Sequence, residues 1–180
     1  MEIFQDLLLR RQSDRKYCDK PVEEEKILTC LEAARLSPSA CNSQPWSFVV
    51  INSQPILEKA QKRIATMGMN KFVKQAPVLI AIVLEKANFT ASLGSVIKDK
   101  EYPLLDIGIA ANNICMQATE LGLGSCILGW FDEKGLKQLL DVPEKKRIPL
   151  VISLGYSAAT TRSKHRKPMK EILHFNSYKR

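Results

Sequence analysis

Two guanidiniums and a hydroxyl fall within five residues in Arg11-Gln12-Ser13-Asp14-Arg15. That set suits a phosphate group, because guanidinium forks match phosphate oxygens in charge and geometry. The alternative is a helix C-terminus carrying cations that complement its dipole. Lys164-His165-Arg166 supplies a second cationic pair near the other end of the chain, readable also as a basic tail. Between them lies Ser37-Pro38-Ser39-Ala40-Cys41-Asn42-Ser43-Gln44-Pro45-Trp46, rich in proline, hydroxyls and amides. Each proline drives the residue before it, Ser37 or Gln44, out of the helical region. The segment reads as a stiff loop presenting donors and acceptors, or as an ordinary helix-to-strand connection with capping serines. The two histidines, His165 and His174, and five cysteines without a CxxC pair give no zinc spacing. No catalytic triad is discernible, so catalytic and metal-ligating side chains are both expected to be absent.

At 180 residues, 45% hydrophobic and 26% charged, the chain is expected to fold as a single domain over 1–180. The odd cysteine count and the lack of a signal peptide predict reduced thiols and a cytoplasmic location. No apolar run reaches the roughly 18 residues of a membrane span. The net charge of +8 is concentrated near the two ends, which points to an anionic partner: nucleic acid, a membrane surface or a small phosphorylated ligand. A nucleic-acid module would rest on charge alone, since no recognised motif supports it.

These groups must be held by a framework, and hydrophobic spacing outlines one. Helices are predicted at 3–10, from Val22 to about Leu36, from about Gln54 to Met67, from Leu104 to Leu121, at 132–140 and at 168–173. Strands are predicted near 47–52, from Ala76 to Leu84, from Ser125 to Trp130 and from Ile148 to Leu154. Residues 85–103 lack periodicity and read as an excursion, a candidate lid. The helix from Leu104 is apolar on more than one face, and its small residues Gly108 and Ala111 permit close approach, so one neighbour for it is a second subunit. Gly122-Leu123-Gly124 lacks the third glycine and the strand-before-helix context of a dinucleotide fold. The alternation of helices and strands favours three layers.

The loop pattern Pro38-Ser39, two residues, Asn42, one residue, Gln44-Pro45-Trp46 resembles the flavin-contacting loop of the nitroreductase family of FMN-dependent oxidoreductases. Arg11-x-Ser13-x-Arg15, Asn70, Gly122-Leu123-Gly124 and Lys164-x-Arg166-Lys167-Pro168 follow in that family's order. The resemblance runs from about Phe4 to Leu173. It implies an α+β fold of three α/β/α layers, with a central mixed, mainly antiparallel sheet flanked by helices. It also implies a homodimer with two interfacial FMN sites, using NADH or NADPH to reduce nitroaromatics, quinones or similar acceptors by a ping-pong mechanism. A non-catalytic flavin-binding protein, for storage or sensing, is the alternative.

By the same resemblance, Arg11, Gln12, Ser13, Arg15, Lys164 and Arg166 hold the FMN phosphate. Gln12 stands where the family often has His or Arg. Pro38, Ser39 and Ala40 pack beside the ring and ribityl chain, while Asn42 and Gln44 reach the flavin from the partner subunit. Asn70 serves the pyrimidine edge. Cys126, Ile127, Leu128 and Gly129 line the ring, with a main-chain N–H near Leu128–Gly129 facing N5. No nucleic-acid or membrane partner is implied.

Overall fold

The computed structural model describes residues 2–66, 68–86 and 100–178. Its elements run α1 (Glu2–Arg10), α2 (Glu24–Arg35), β1 (Trp46–Ile51), α3 (Ile56–Ile64), β2 (Val78–Leu84), α4 (Tyr102–Glu120), β3 (Gly124–Leu128), α5 (Glu133–Leu139), β4 (Arg147–Gly155) and α6 (Met169–Ile172). Every element expected from periodicity is present, with ends shifted by a few residues. A turn is found at Lys71–Gln75, just after Asn70, whereas the 3-10 turn at Ala40–Asn42 was not anticipated, because a single turn is too short to carry a hydrophobic period. The candidate lid falls largely on residues 87–99, outside the described residues.

The four strands form one sheet in the order β1-β2-β4-β3, every neighbouring pair antiparallel. Among the described residues the expected mixed character survives only as a parallel bridge between Ser13 and Ser125. β2 is central, and its run Val78–Val83 is buried on both faces. Ile80 and Ile82 join Ile27, Cys30 and Ala34 of α2 and Ile107, Ala110, Ala111 and Ile114 of α4 in one core. Leu79, Ala81 and Val83 point the other way, to Leu57, Ala60 and Ile64 of α3 and Leu136 of α5. This alternation across one strand makes the three layers.

Between Ile82 and Leu84 of β2 the partner strand advances from Leu150 to Arg147, one residue more than β2. That bulge reverses the alternation in β4, so Ile148 shares a core with Val151. Ala111 corrects the interface expectation: it is fully buried within this chain's own core. The open side of α4 carries Leu105, 61% exposed, and Ile109, 40% exposed. A side chain at Gly108 would meet nothing within 4 Å.

Gly122-Leu123-Gly124 has a structural explanation. Gly122 takes φ +76°, its N–H bonds the Thr119 carbonyl at 3.2 Å, and the Leu123 N–H bonds the Ala118 carbonyl at 2.7 Å. This is the Schellman ending of α4. A Cβ at Gly124 would lie 2.8 Å from the Asp14 carboxyl carbon, so glycine there lets Asp14 pack against the start of β3.

Candidate active site

The two ends of the chain are brought together by backbone pairing. The Cys18 N–H bonds the Tyr156 carbonyl at 2.8 Å and the Ala158 N–H bonds the Lys16 carbonyl at 3.0 Å. Beneath this ribbon the buried Tyr17 hydroxyl lies 2.8 Å from Ser153 Oγ and 3.1 Å from the Asp14 carbonyl. Burial raises its pKa above the ordinary phenol range, so it remains a neutral tie. On the other side, the Asp14 N–H bonds the Ser125 carbonyl at 2.9 Å, laying residues 11–15 along the outer edge of β3.

A cleft of about 520 Å³ results, lined by residues 11–13, 15 and 162–166. Sequence reasoning anticipated Arg11, Gln12, Ser13, Arg15, Lys164 and Arg166, and all line it; it did not anticipate that Arg162 lines it too. Arg162 Nη2 donates to the Ser13 carbonyl at 2.8 Å, and Lys164 Nζ donates to the Arg11 carbonyl. Partial burial, then the neighbouring cations Arg11, Arg166 and Arg162, lower the Lys164 pKa below its usual value. These like charges repel one another, and an anion placed among them relieves the repulsion. Arginine and lysine donors around an open cleft suit the several oxygens of a phosphate dianion.

From this cleft the edge of β3 runs on through Ile127, 40% exposed, to Leu128 and Gly129. Residues alternate along an antiparallel edge, so Ile127 turns its backbone groups to the side that Ser125 presents to Asp14. Four residues of strand from Ser125 to Gly129 cover about 13 Å. At the far end Asn70, in a left-handed conformation with φ +53°, donates from Nδ2 to the Trp130 carbonyl at 2.7 Å. The structure thus gathers Asn70, Ile127, Leu128 and Gly129 at one end of this edge and the cations at the other.

The Cys126 thiol is buried, and burial, partly offset by Arg15, raises its pKa. Cys115 is pushed up to about 11 by the same cause. Neither is a thiolate at neutral pH. Among the described residues no group of three or more His, Cys, Asp or Glu could hold a metal ion, and no helix is long and apolar enough to cross a membrane.

The loop Ser37–Trp46 lies elsewhere: none of its described residues lines the cleft. Gln44 leaves the right-handed helical region, as its proline requires, but enters the left-handed one at φ +46°. Cys41 and Asn42 are left-handed too, both at φ +51°. Asparagine tolerates this conformation, whereas for cysteine and glutamine it costs roughly 1–3 kcal/mol each. The loop is held by the Ala40 N–H, which reaches both carboxylate oxygens of buried Asp106 at 3.1 and 3.2 Å. The Gln44 N–H bonds Ser39 Oγ at 2.9 Å, and Gln44 Nε2 bonds Asn42 Oδ1 at 3.2 Å. Pro38, Asn42 and Gln44 are exposed, Ser39 and Ala40 half-buried. Asp106 was not anticipated, because in sequence it is one polar position in an apolar helix.

Residues 8–156 match the Nitroreductase family. An Archaeoglobus fulgidus protein described as a putative NADH dehydrogenase/NAD(P)H nitroreductase is 32% identical over 164 residues, spanning 87% of this chain and 86% of that one. A Bacillus subtilis FMN reductase [NAD(P)H] is 28% identical, spanning 95% of this chain and 72% of the relative. Among solved structures, an FMN-dependent nitroreductase from Clostridium difficile R20291 superposes with a TM-score of 0.79 at 33% identity, covering 96% of this chain and 98% of that one. With a family match over most of its length and a solved nitroreductase of 33% identity sharing its fold, the chain belongs to the Nitroreductase family.

Proposed function

We propose that the chain is an FMN-dependent oxidoreductase using NADH or NADPH as electron donor, with two sites at the interface of a homodimer. The observation that carries this reading is the cationic cleft formed where residues 11–15 run beside the outer edge of β3. Arg11, Ser13, Arg15, Lys164 and Arg166 hold the phosphate, and Gln12 belongs to the wall behind them. The backbone from Ile127 to Gly129 lies along the ring, offering an N–H where negative charge accumulates on reduction. Asn70 keeps its carbonyl oxygen for the pyrimidine edge, since its amide nitrogen serves Trp130. Bound FMN supplies hydride acceptance from the nicotinamide and onward transfer to an electron-poor acceptor such as a nitroaromatic or quinone, in ping-pong order.

The second chain supplies Pro38, Ser39, Ala40, Asn42 and Gln44. Support comes from the exposure of Pro38, Asn42 and Gln44 outside this chain's own cleft and from the apolar residues left open on α4. We place the protein in the cytoplasm, since an odd number of cysteines without a CxxC pair points to reduced thiols. The test is the absorption spectrum of the purified protein, followed by NADH and NADPH oxidation with a quinone or nitroaromatic acceptor. A flavin band with turnover well above that of free FMN is expected. A colourless protein that takes up no FMN overturns the reading, and a yellow one that oxidises neither donor faster than free flavin is a flavin carrier.

A further inference from the structure

The inner wall of the cleft holds a polar network that direct phosphate binding does not use. Gln12 is only 8% exposed. Its Oε1 accepts from the Arg162 N–H at 3.1 Å and from Arg162 Nε at 3.4 Å. Its Nε2 donates to Asp14 Oδ1 at 3.0 Å and to the Thr160 carbonyl at 3.2 Å. A side-chain amide has two donor and two acceptor positions, so nothing is left over for a ligand. Asp14, 5% exposed, also accepts from Ser157 Oγ at 2.6 Å. Arg162 closes the circuit through Nη2 to the Ser13 carbonyl at 2.8 Å. The segment 157–162 is therefore fastened to residues 12–14 at Ser157, Thr160 and Arg162, just before the chain delivers Lys164 and Arg166.

We infer that Gln12 is a positioning residue: together with Asp14 it locks the 157–162 strap against the first segment, so that Lys164 and Arg166 face the phosphate before the ligand arrives. The inference rests on the FMN reading above. Cations crowded into one cleft push the strap outward when no anion is present, and the hydrogen-bond lock opposes that push. A strap already in place loses less conformational freedom on binding than one that must fold over the ligand. Burial of the network explains why Gln12 serves here: a neutral amide can donate and accept at once beside a buried carboxylate.

The experiment titrates the full-length apoprotein with FMN and, separately, with riboflavin, which lacks the phosphate. Wild type, Gln12→Leu, Arg162→Met, the double variant and Asp14→Asn are compared. Gln12→Leu is expected to weaken FMN about tenfold while riboflavin changes by less than about twofold. The double variant should be little worse than the more damaged single one, because both break one lock. Asp14→Asn keeps an acceptor oxygen and should stay near wild type. Trypsin should cut the strap of apo Gln12→Leu faster than that of the apo wild type. Wild type that does not prefer FMN over riboflavin overturns the FMN reading and the inference together. Wild type that prefers FMN, with the preference intact in Gln12→Leu and Arg162→Met, overturns the inference alone. An equal loss of both flavins, or additive losses in the double variant, also overturns it. Should Gln12→Leu not fold, the exposed Arg162→Met decides by the same selectivity ratio.

Discussion

The cationic cleft and the Ser37–Trp46 loop carry most of the polar groups of the candidate site, and they are built in opposite ways. The cleft is closed by long-range bonds joining residues 11–17 to residues 153–164. The loop folds on itself, holds three left-handed residues, and is tied to the rest of the chain at Asp106, at Ser37, whose hydroxyl accepts from Asn113 at 2.8 Å, and at Pro45, whose carbonyl accepts from the Glu85 N–H at 3.0 Å. The cleft is stitched from both ends of one chain, so in the proposed reading it needs no second chain to hold an anion. In the proposed dimer, the strained loop, none of whose residues lines that cleft, serves a ligand held by the other chain. Strain of this kind persists where surrounding structure enforces it and commonly marks functional positions.

The contrast breaks most severely at the interface. Ile109→Glu should place a charge on the open face of α4, and burying it unpaired against a second copy costs several kcal/mol. A folded monomer without flavin is expected on sedimentation, because the cleft then lacks the partner's loop. Ala111→Glu, aimed at this chain's own core, should instead lower the melting temperature. An Ile109→Glu protein that stays dimeric and yellow places the interface elsewhere.

Within the cleft, Arg11→Ala or Arg166→Ala should weaken FMN by roughly 1.5–3 kcal/mol, the range for hydrogen bonds to charged groups. Riboflavin should bind both as it binds wild type. Unchanged FMN affinity at moderate salt would contradict the anchor. The loop should respond differently. Asp106→Ala strips the Ala40 N–H of its acceptor and frees the left-handed turn, weakening FMN and riboflavin alike by about 1 kcal/mol. Asp106→Asn retains an acceptor oxygen and should recover most of that loss. A selective loss of FMN in Asp106→Ala would erase the distinction between the regions.

The smallest effect is on pH dependence. Burial and neighbouring cations lower the Lys164 pKa below the usual 10.5, and a bound dianion raises it again. FMN affinity should therefore be full below the free-state pKa of Lys164 and decline as pH rises through it. It should also decline below about pH 6, where the phosphate dianion takes up a proton and becomes a monoanion. Lys164→Met should remove the alkaline decline, with riboflavin reporting any titration of the ring itself. An alkaline limb unchanged in Lys164→Met would assign it to another group.

Much of this was legible in the sequence because periodic burial and clustered charge are local signals. The run Val78–Val83 announced a buried strand, and the cations at 11–15 and 164–166 marked the cleft they line. The Gln12–Arg162 lock was not legible, because its partners meet only after the chain ends pair at Tyr17 and Ser157. Nor could spacing decide which apolar residues of α4 face inward. Ala111 and Ile109 lie on one helix, but only the placement of α2 and the sheet makes the first core and the second surface. Gly124 looked like part of a ligand motif, and its necessity comes from Asp14 lying against it.

The most direct measurement mixes two damaged chains. Asn42→Ala impairs the loop and Arg11→Ala the cleft, and each homodimer carries one defect in both sites. If each site joins the cleft of one chain to the loop of the other, the mixed dimer has one site with both defects and one with neither. Flavin-limited titration after verified subunit exchange should then recover about one wild-type-affinity FMN site per mixed dimer. A mixture that binds FMN no better than the two homodimers would contradict the account, placing loop and cleft in the site of a single chain.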